Sequence, residues 1–201
     1  FFANSIPLTN GDIYSVASDG VSDFTDVTSD ANSGKTFLSV FPDGKKIAYI
    51  QSKDVYIDDG ITKTNLTSDA KNFHVDVSSF NGKIAYSSIA TGAMEIWVMN
   101  ADGSGKIKIT NGVTFNSKLP TWKSDGTKIA YVKQIVAGNV HQIWIMDADG
   151  FNQTQLTFLP ISGPDSLTYI SWSNDGNKIA FIAELYSSTP EIFVINSDGS
   201  N

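Results

Sequence analysis

The segment Lys-Ile-Ala-Tyr at residues 128–131 is one of four nearly identical segments in this 201-residue chain, and their spacing decides the fold. The isoleucines of the four copies, Ile47, Ile84, Ile129 and Ile179, lie 37, 45 and 50 residues apart. Such a period is typical of propeller blades rather than of helical repeats or heptads. The spacing therefore predicts an all-β chain that folds as a β-propeller of four-stranded antiparallel blades.

A tight turn that contains Asp-Gly or Asn-Gly precedes each copy. These dipeptides adopt positive φ at little steric cost and are a strong hairpin signal between two apolar runs. We expect the copies themselves to be the second strands. The runs before the turns, which we expect to be the first strands, span 37–41, 75–80, 119–122 and 169–172.

A β-branched and aromatic run follows each copy, as expected of a third strand that is covered on both faces. These runs span 54–57, 95–99, 142–146 and 191–195. A second Asp-Gly turn and a polar alternating segment come next, and the period of two suits an outer strand with one solvated face. The polar segments span 63–67, 106–110 and 153–157, and each ends in an aliphatic residue followed by Thr.

Both ends of the chain fall inside repeats. Phe2 aligns with Phe181 in a second strand, Ile13 then aligns with Ile192, and the last repeat stops at its second turn. We therefore expect part of a propeller, with about four and a half blades. Its approximate units are 1–35 (partial), 36–70, 71–114, 115–160 and 165–201 (partial). In the alternative, the Ile-Pro-Leu-Thr of Ser5–Asn10 closes a ring of five blades.

Composition excludes several classes of function. The chain has no cysteine, so disulfides, thiolate metal sites and a cysteine nucleophile are impossible. A net charge of −7 with a pI near 4.6 and no basic stripe argues against a nucleic-acid partner. No window approaches the length of a membrane span. The start at Phe1 has no basic region and no leading methionine, so we expect no signal peptide within this chain.

Two segments carry a resemblance to a known family. Phe-Pro-Asp-Gly-Lys-Lys-Ile-Ala-Tyr at 41–49 and Ile-Trp-Ile-Met-Asp-Ala-Asp-Gly at 143–150 resemble the TolB-like propeller repeat, a relative of the WD repeat. The resemblance covers essentially the whole chain. It implies a bacterial or archaeal protein, often exported to the periplasm or cell exterior, whose propeller is a rigid platform for other proteins. Similar propellers precede the catalytic domain of prolyl oligopeptidase-like serine peptidases.

The motifs of catalysis and cofactor binding are missing from the sequence. No Gly-x-Ser-x-Gly nucleophile elbow occurs. The glycine-rich segment 102–106 lacks the remaining P-loop positions, and Asp147-x-Asp149-Gly150 lacks a further acidic ligand for calcium, so both are expected to be turns. We therefore expect no enzyme activity, no cofactor and no metal site in this chain.

Two histidines and the long loops are the candidate site residues. His74 stands at the start of an inner strand, which places it at the central channel or its mouth. His141 precedes a third strand and is expected on an exposed loop at a mouth. Neither has neighbours in sequence that complete a zinc site. Four tryptophans recur at the blade period and predict packing between blades. They are Trp97, Trp122, Trp144 and Trp172.

The sequence leaves two functions open. In the first, the chain is a non-enzymatic, TolB-like scaffold that binds a protein or peptide, with recognition by the connections 135–139 and 184–190. In the second, it is the substrate-gating propeller of a serine peptidase whose catalytic domain lies outside this chain. The oligomeric state is not indicated by the sequence.

Overall fold

The chain forms five antiparallel sheets in a computed structural model. The structure describes residues 2–3, 13–15, 25–26, 28, 34–112, 115–135, 138–158, 167–184 and 189–200. Three sheets have four strands and two have three, and each sheet is built from strands that are consecutive in the chain. The predicted all-β propeller of antiparallel blades is confirmed.

Each sheet is a meander of short strands. Sheet 1 contains β1 (Phe2–Ala3), β2 (Tyr14–Ser15) and β3 (Thr25–Asp26). Sheet 2 contains β4 (Thr36–Val40), β5 (Ile47–Gln51), β6 (Asp54–Asp58) and β7 (Lys63–Asn65). Sheet 3 contains β8 (Asn72–Val77), β9 (Ile84–Ser88), β10 (Glu95–Met99) and β11 (Ile107–Lys108). Sheet 4 contains β12 (Phe115–Trp122), β13 (Lys128–Ile135), β14 (Val140–Asp147) and β15 (Thr154–Gln155). Sheet 5 contains β16 (Leu167–Trp172), β17 (Lys178–Ala183) and β18 (Glu191–Asn196).

Neighbouring sheets pack face to face in chain order. Contacts join β4 to β8, β8 to β12, and β12 to β16, so the first strands of sheets 2 to 5 lie side by side along the channel. The Lys-Ile-Ala-Tyr segments form the second strands, and their alanines in sheets 2 to 4 have no exposed surface. A small side chain at this position lets the neighbouring sheet approach closely. The repeated segment is thus part of the core between sheets.

The second Asp-Gly turn of sheets 3 to 5 lies against the preceding sheet. Gly103, Gly150 and Gly199 all have positive φ, as the turn signals predicted. Each also lies against the outer strand of the preceding sheet, and a Cβ at Gly150 would lie 2.4 Å from the backbone oxygen of Ile109. At Gly150, glycine is therefore required for close packing between sheets as well as for the turn.

The repeated Thr after the outer strand fastens that strand to the third strand. The Thr Oγ1 accepts the N–H of one aliphatic residue at or beside the third strand at 2.8–2.9 Å. The pairs are Ile13 with Thr28, Val55 with Thr67, Ile96 with Thr110, and Ile143 with Thr157. The first of these pairs confirms that Ile13 stands at the third-strand position of sheet 1. The sequence shows the recurrent Thr but does not reveal its role, because the partner lies about 14 residues earlier on another strand.

One predicted strand was displaced along the sequence. The first strand of sheet 3 spans Asn72–Val77 instead of 75–80, and Phe80 lies in the following turn with 70% of its surface exposed. The connection has the same length as its counterparts, since Val77 pairs with Ile84 as Trp122 pairs with Ile129, but its glycine lies one position later. Prediction from the apolar run was wrong because it counted a turn residue as part of the strand.

Two further expectations concern the ends of the chain and the membrane. The alternative of a closed five-bladed ring depends on Ser5–Asn10, which lie outside the described residues. Within the described ranges, no helix has the length and apolar character that crossing a bilayer requires.

Candidate binding channel

The first strands of sheets 2 to 5 enclose a cavity of about 490 Å³ at one end of the channel. Corresponding positions of the four strands line it, with Phe37, His74, Leu119 and Tyr169 at one level. Tyr169 is 60% exposed, so the cavity opens to solvent beside sheet 5. The repeat therefore places three apolar or aromatic side chains and one imidazole around the wide end of the channel.

A β-bulge re-aims these side chains. The pairing of each first strand with its second strand slips by one residue near this level. Phe37 and Leu119 both have φ of 54°, in the left-handed region that favours glycine. Bulges are common next to functional sites, where they redirect a side chain. A strained backbone conformation persists only where the surrounding structure enforces it. The cavity wall is therefore a rigid and partly strained surface.

The His74 ring is held in one orientation by two neighbours. Its Nδ1 lies 2.6 Å from Ser87 Oγ, and its ring meets that of Phe37 edge-on with centroids 4.4 Å apart. Burial, and secondarily the charge of Lys118, lower the pKa of His74 to about 3, so the imidazole is neutral near pH 7. Ser87 has no exposed surface, so this pair orients the ring and does not present a nucleophile.

Asp76 joins three sheets at the inner end of this cavity. Its carboxylate accepts hydrogen bonds from Ser39 Oγ of sheet 2 at 2.9 Å and from the Trp122 backbone N–H of sheet 4 at 2.7 Å. Burial raises the pKa of Asp76, although the hydrogen bonds from Trp122, Ser39 and Thr121 oppose the shift. Asp76 therefore links the first strands of sheets 2, 3 and 4 through hydrogen bonds.

The two ends of the channel differ in chemistry. A smaller cavity of about 290 Å³ shares Asp76, Thr121 and Ser171 with the first and is lined by hydroxyl and amide side chains from the turns. Two of these hydroxyls already donate hydrogen bonds within the protein. Ser79 Oγ donates to the Ser124 carbonyl, and Ser124 Oγ donates to the Asn174 carbonyl. The wide, more apolar end is therefore the better candidate for binding a partner.

His141 does not lie on an exposed loop. It is part of β14, is fully buried, and is opposite Gln134 in the ladder. The prediction was wrong because β13 and β14 are eight residues long and the strand begins before the apolar run 142–146. The wide cavity is lined by residues of first strands, whereas His141 belongs to a third strand.

The hairpin of β13 and β14 extends further than the corresponding hairpin of sheet 3. These strands are three residues longer than β9 and β10, so the hairpin extends roughly 10 Å further. β12, which pairs with β13, is hydrogen-bonded to the residue before β10, because the Ser117 N–H donates to the Met94 carbonyl at 2.7 Å. Residues 135, 138 and 139 form part of its tip, whereas 136–137 and 185–188 of the two predicted recognition loops lie outside the described residues.

The four tryptophans pack between sheets, which confirms that prediction. Trp97 packs against the cluster shared by sheets 2 and 3, Trp122 and Trp144 belong to the cluster shared by sheets 3 and 4, and Trp172 packs in the cluster of sheets 4 and 5.

Across the described parts of the chain, no group of three or more His, Asp or Glu side chains could hold a metal ion. Asp147 accepts from Lys128 and Asn152 inside its turn.

Comparisons with known proteins place this geometry among propellers. No family model matches the chain. A curated relative, the uncharacterized protein Atu1656 of Agrobacterium fabrum, is 30% identical over 154 residues, which are 70% of this chain and 52% of the relative. The chain therefore spans about half the length of the curated relative it matches.

Solved structures agree on the fold. The putative TolB from Agrobacterium tumefaciens has 25% identity and a TM-score of 0.71, over 93% of this chain and 66% of that chain. TolB from Acinetobacter baumannii has 21% identity and a TM-score of 0.72, over 94% and 47%. A puromycin hydrolase matches with a TM-score of 0.71 over 94% of this chain and 32% of its own, but at 11% identity this likeness shows the fold alone. The resemblance read from the repeats is confirmed, and the chain has the fold of the TolB-like β-propellers.

Proposed function

We propose that this chain is a non-enzymatic propeller scaffold that binds a protein or peptide partner at the wide end of its channel. The observation that carries the proposal is the cavity at that end, where corresponding positions of four sheets place Phe37, His74, Leu119 and Tyr169 around one opening. The likeness to TolB structures supports a scaffold of this kind.

The chemistry of the cavity suits a peptide side chain. A concave, mostly apolar surface with a few oriented polar groups is the usual form of a binding site. Phe37 and Leu119 offer apolar contact, and the neutral His74 imidazole offers a hydrogen bond without a charge. The bulged strands are held before binding, so little conformational entropy is lost when a partner docks. We infer that an apolar or aromatic side chain of the partner enters here.

The proposed location is the bacterial periplasm or cell exterior. The TolB neighbours support it, and the absence of cysteine is compatible with it. Cell fractionation of the source organism with an antibody against this chain tests the proposal. Recovery in the cytoplasmic fraction would refute it.

Selection of peptides on the immobilised chain tests the binding function. A random phage-displayed library should yield peptides that share an apolar or aromatic residue, and Tyr169→Asp should weaken their binding at least tenfold, because a charge would stand at the opening. Ile61→Asp is the matched control, since Ile61 is 95% exposed and does not line the cavity. Equal binding by both variants would contradict the proposal.

The gating propeller of a serine peptidase is the second candidate, and the puromycin hydrolase neighbour is the observation that favours it. The sequence of the parent gene beyond residue 201 separates the two candidates. A Gly-x-Ser-x-Gly motif after a strand, followed by Asp and His, would favour the peptidase and count against a pure scaffold. Another propeller repeat followed by a stop codon would exclude the peptidase.

A further inference from the structure

Glu95 is a buried carboxylate of sheet 3 that the proposed binding function does not use. The residue is only 2% exposed, and both of its carboxylate oxygens accept hydrogen bonds from the segment after β11. Oε2 accepts the Thr110 hydroxyl at 2.5 Å, and Oε1 accepts the Gly112 backbone N–H at 2.6 Å. The Gly112 nitrogen is therefore held against a group that can take its proton.

The residue before Gly112 carries a carbon that this nitrogen can attack. Asn111 is exposed, and attack by the following backbone nitrogen on its side-chain amide carbon closes a cyclic imide. The half-buried Lys108 donates from Nζ to Asn111 Oδ1 at 3.4 Å. A cation in this place stabilises the negative charge that develops on the amide oxygen during the attack. The ends of β10 and β11 thus place a nucleophile, a base and a cation around one peptide bond.

We propose that Asn111-Gly112 is a self-modification site, at which the chain converts Asn111 to aspartate and isoaspartate. The Gly112 nitrogen bonds to the Asn111 side-chain carbon while Glu95 takes the proton from that nitrogen. The bond from this carbon to Nδ2 then breaks, and ammonia leaves with the proton that Glu95 returns. Water opens the cyclic imide at either of its carbonyls. The balance is one asparagine and one water to one carboxylic acid and one ammonia, with no oxidant or reductant.

A second Asn-Gly pair of sheet 3 provides an internal comparison. Asn81-Gly82 has the same dipeptide, but the Gly82 N–H donates to the Ser78 carbonyl at 2.9 Å, and a neutral carbonyl is a much weaker base than a carboxylate. Asn81 Oδ1 accepts the Lys83 backbone N–H, which carries no charge. The dipeptide alone predicts equal reaction at the two pairs, whereas the folded geometry predicts faster reaction at Asn111.

Peptide mapping measures the reaction at each pair. The purified 201-residue chain is incubated near pH 7, its peptides are separated, and mass spectrometry scores the exchange of the amide nitrogen for oxygen. Labelling with an isoaspartyl methyltransferase identifies the isoaspartate product. We expect conversion at Asn111 to be roughly tenfold or more faster than at Asn81, because a positioned base acts at only one of them. In urea, which removes the folded contacts, the two rates should converge.

A variant of the base separates its role from that of the fold. Glu95→Gln keeps a side-chain oxygen but removes the base. Gln142 holds the corresponding position in sheet 4 and accepts the hydroxyl of its own Thr at 2.8 Å, so the fold accommodates an amide here. Glu95→Gln should slow the reaction at Asn111 by roughly tenfold or more and leave the rate at Asn81 unchanged. Circular dichroism checks that the variant is folded. If it is not, the comparison of the two pairs with and without urea still decides the test.

Three results would overturn the proposal. The first is a rate at Asn81 that equals or exceeds the rate at Asn111 in the folded chain. The second is the same ratio of the two rates in urea as in the folded chain, because the dipeptides and their neighbours in sequence would then account for the reaction. The third is an unchanged rate at Asn111 in folded Glu95→Gln, because the carboxylate would then only hold the loop in place.

Discussion

Ile143 and Ile192 occupy the same position in two successive sheets, yet the first has no exposed surface and the second is 75% exposed. The same holds for Val98, which is 7% exposed in sheet 3, and Val194, which is 56% exposed in sheet 5. The pairing register of the third strand is the same in all of these sheets. Burial of these residues therefore comes from what packs against the third strand, which is a neighbouring sheet and the fourth strand of the same sheet.

This comparison separates the stability that comes from contacts within one repeat from the stability that comes from contacts between repeats. Within a sheet, the hairpin turns and the ladders of the first three strands are local, and they recur in sheets 4 and 5. Between sheets, the contribution is apolar burial, the close approach at the glycine turns and the hydrogen bonds of Asp76. Variants at matched positions of sheets 4 and 5 should therefore differ where a contact reaches another sheet or the fourth strand.

The largest expected difference is between Ile143→Ala and Ile192→Ala. Ile143→Ala leaves a cavity between sheets and should lower the free energy of unfolding by about 2–5 kcal/mol. Ile192→Ala removes a largely solvated side chain and should cost less than about 0.5 kcal/mol. Urea unfolding followed by tryptophan fluorescence measures both. Equal losses would show that the outer face of sheet 5 is covered in solution, and sedimentation velocity would then reveal self-association.

The glycine turns give the next effect. Gly150 and Gly199 have φ of 90° and 86°. Gly150→Ala and Gly199→Ala should therefore cost similar backbone strain. Only at Gly150 does the added Cβ meet a backbone oxygen at 2.4 Å, because the nearest atoms to Gly199 lie at 3.6 Å. Gly150→Ala should therefore cost roughly 1–3 kcal/mol more than Gly199→Ala in the same unfolding assay. Equal costs would mean that the backbone of Ile109 moves freely.

Asp76 tests the hydrogen bonds between sheets. Asp76→Ala should cost about 1–3 kcal/mol, because the Trp122 N–H and the Ser39 hydroxyl lose their acceptor. Ser171→Ala is the control, since Ser171 holds the same register position in sheet 5 and is exposed. Its cost should stay below about 0.5 kcal/mol.

The cost of Asp76→Ala should also depend on pH. Burial raises the pKa of Asp76 in the folded chain above the ordinary value of 3.8. The folded state therefore binds this proton more tightly than the unfolded state does. The stabilising contribution of Asp76 to the free energy of unfolding is then lost as the pH rises from 3.8 through the folded pKa. The difference between the parent chain and Asp76→Ala should therefore shrink as the pH rises. A difference that grows with pH would show that the hydrogen bonds outweigh burial.

Sequence predicted the parts of this molecule that are local. Hairpin turns at Gly44 and Gly126 follow from dipeptides, and the second strand around Ile129 follows from a contiguous apolar segment. The channel could not be predicted in the same way, because its wall is one short stretch from each of four strands. The single Asp76 within the apolar strand of sheet 3 was a visible signal, but its partners come from residues 37 positions earlier and 46 later.

The smallest expected effect lies in the first turn, where interior and terminal sheets should not differ. Asp125 Oδ1 accepts the Thr127 N–H, and Asp175 Oδ1 accepts the Asn177 N–H in the same way. Asn81 makes the corresponding bond to the Lys83 N–H in sheet 3, so an amide is tolerated at this position. Asp125→Asn should therefore cost no more than about 0.5 kcal/mol at ordinary salt, because the group is solvated and screened.

The salt and pH dependence of stability distinguishes the charged and uncharged partners of these two aspartates. The Lys123 hydrogen bond, followed by Thr127, lowers the pKa of Asp125 to about 2, whereas the hydroxyl of Ser173 is the main cause that lowers the pKa of Asp175. Both contributions are present above pH 3.8 and are lost as pH falls through the folded pKa. Raising the salt to 1 M should shrink the effect of Asp125→Asn and leave that of Asp175→Asn unchanged. A large, salt-independent loss at Asp125 alone would show that the turn also contributes to packing between sheets, and the division between local and crossing contacts would then be wrong.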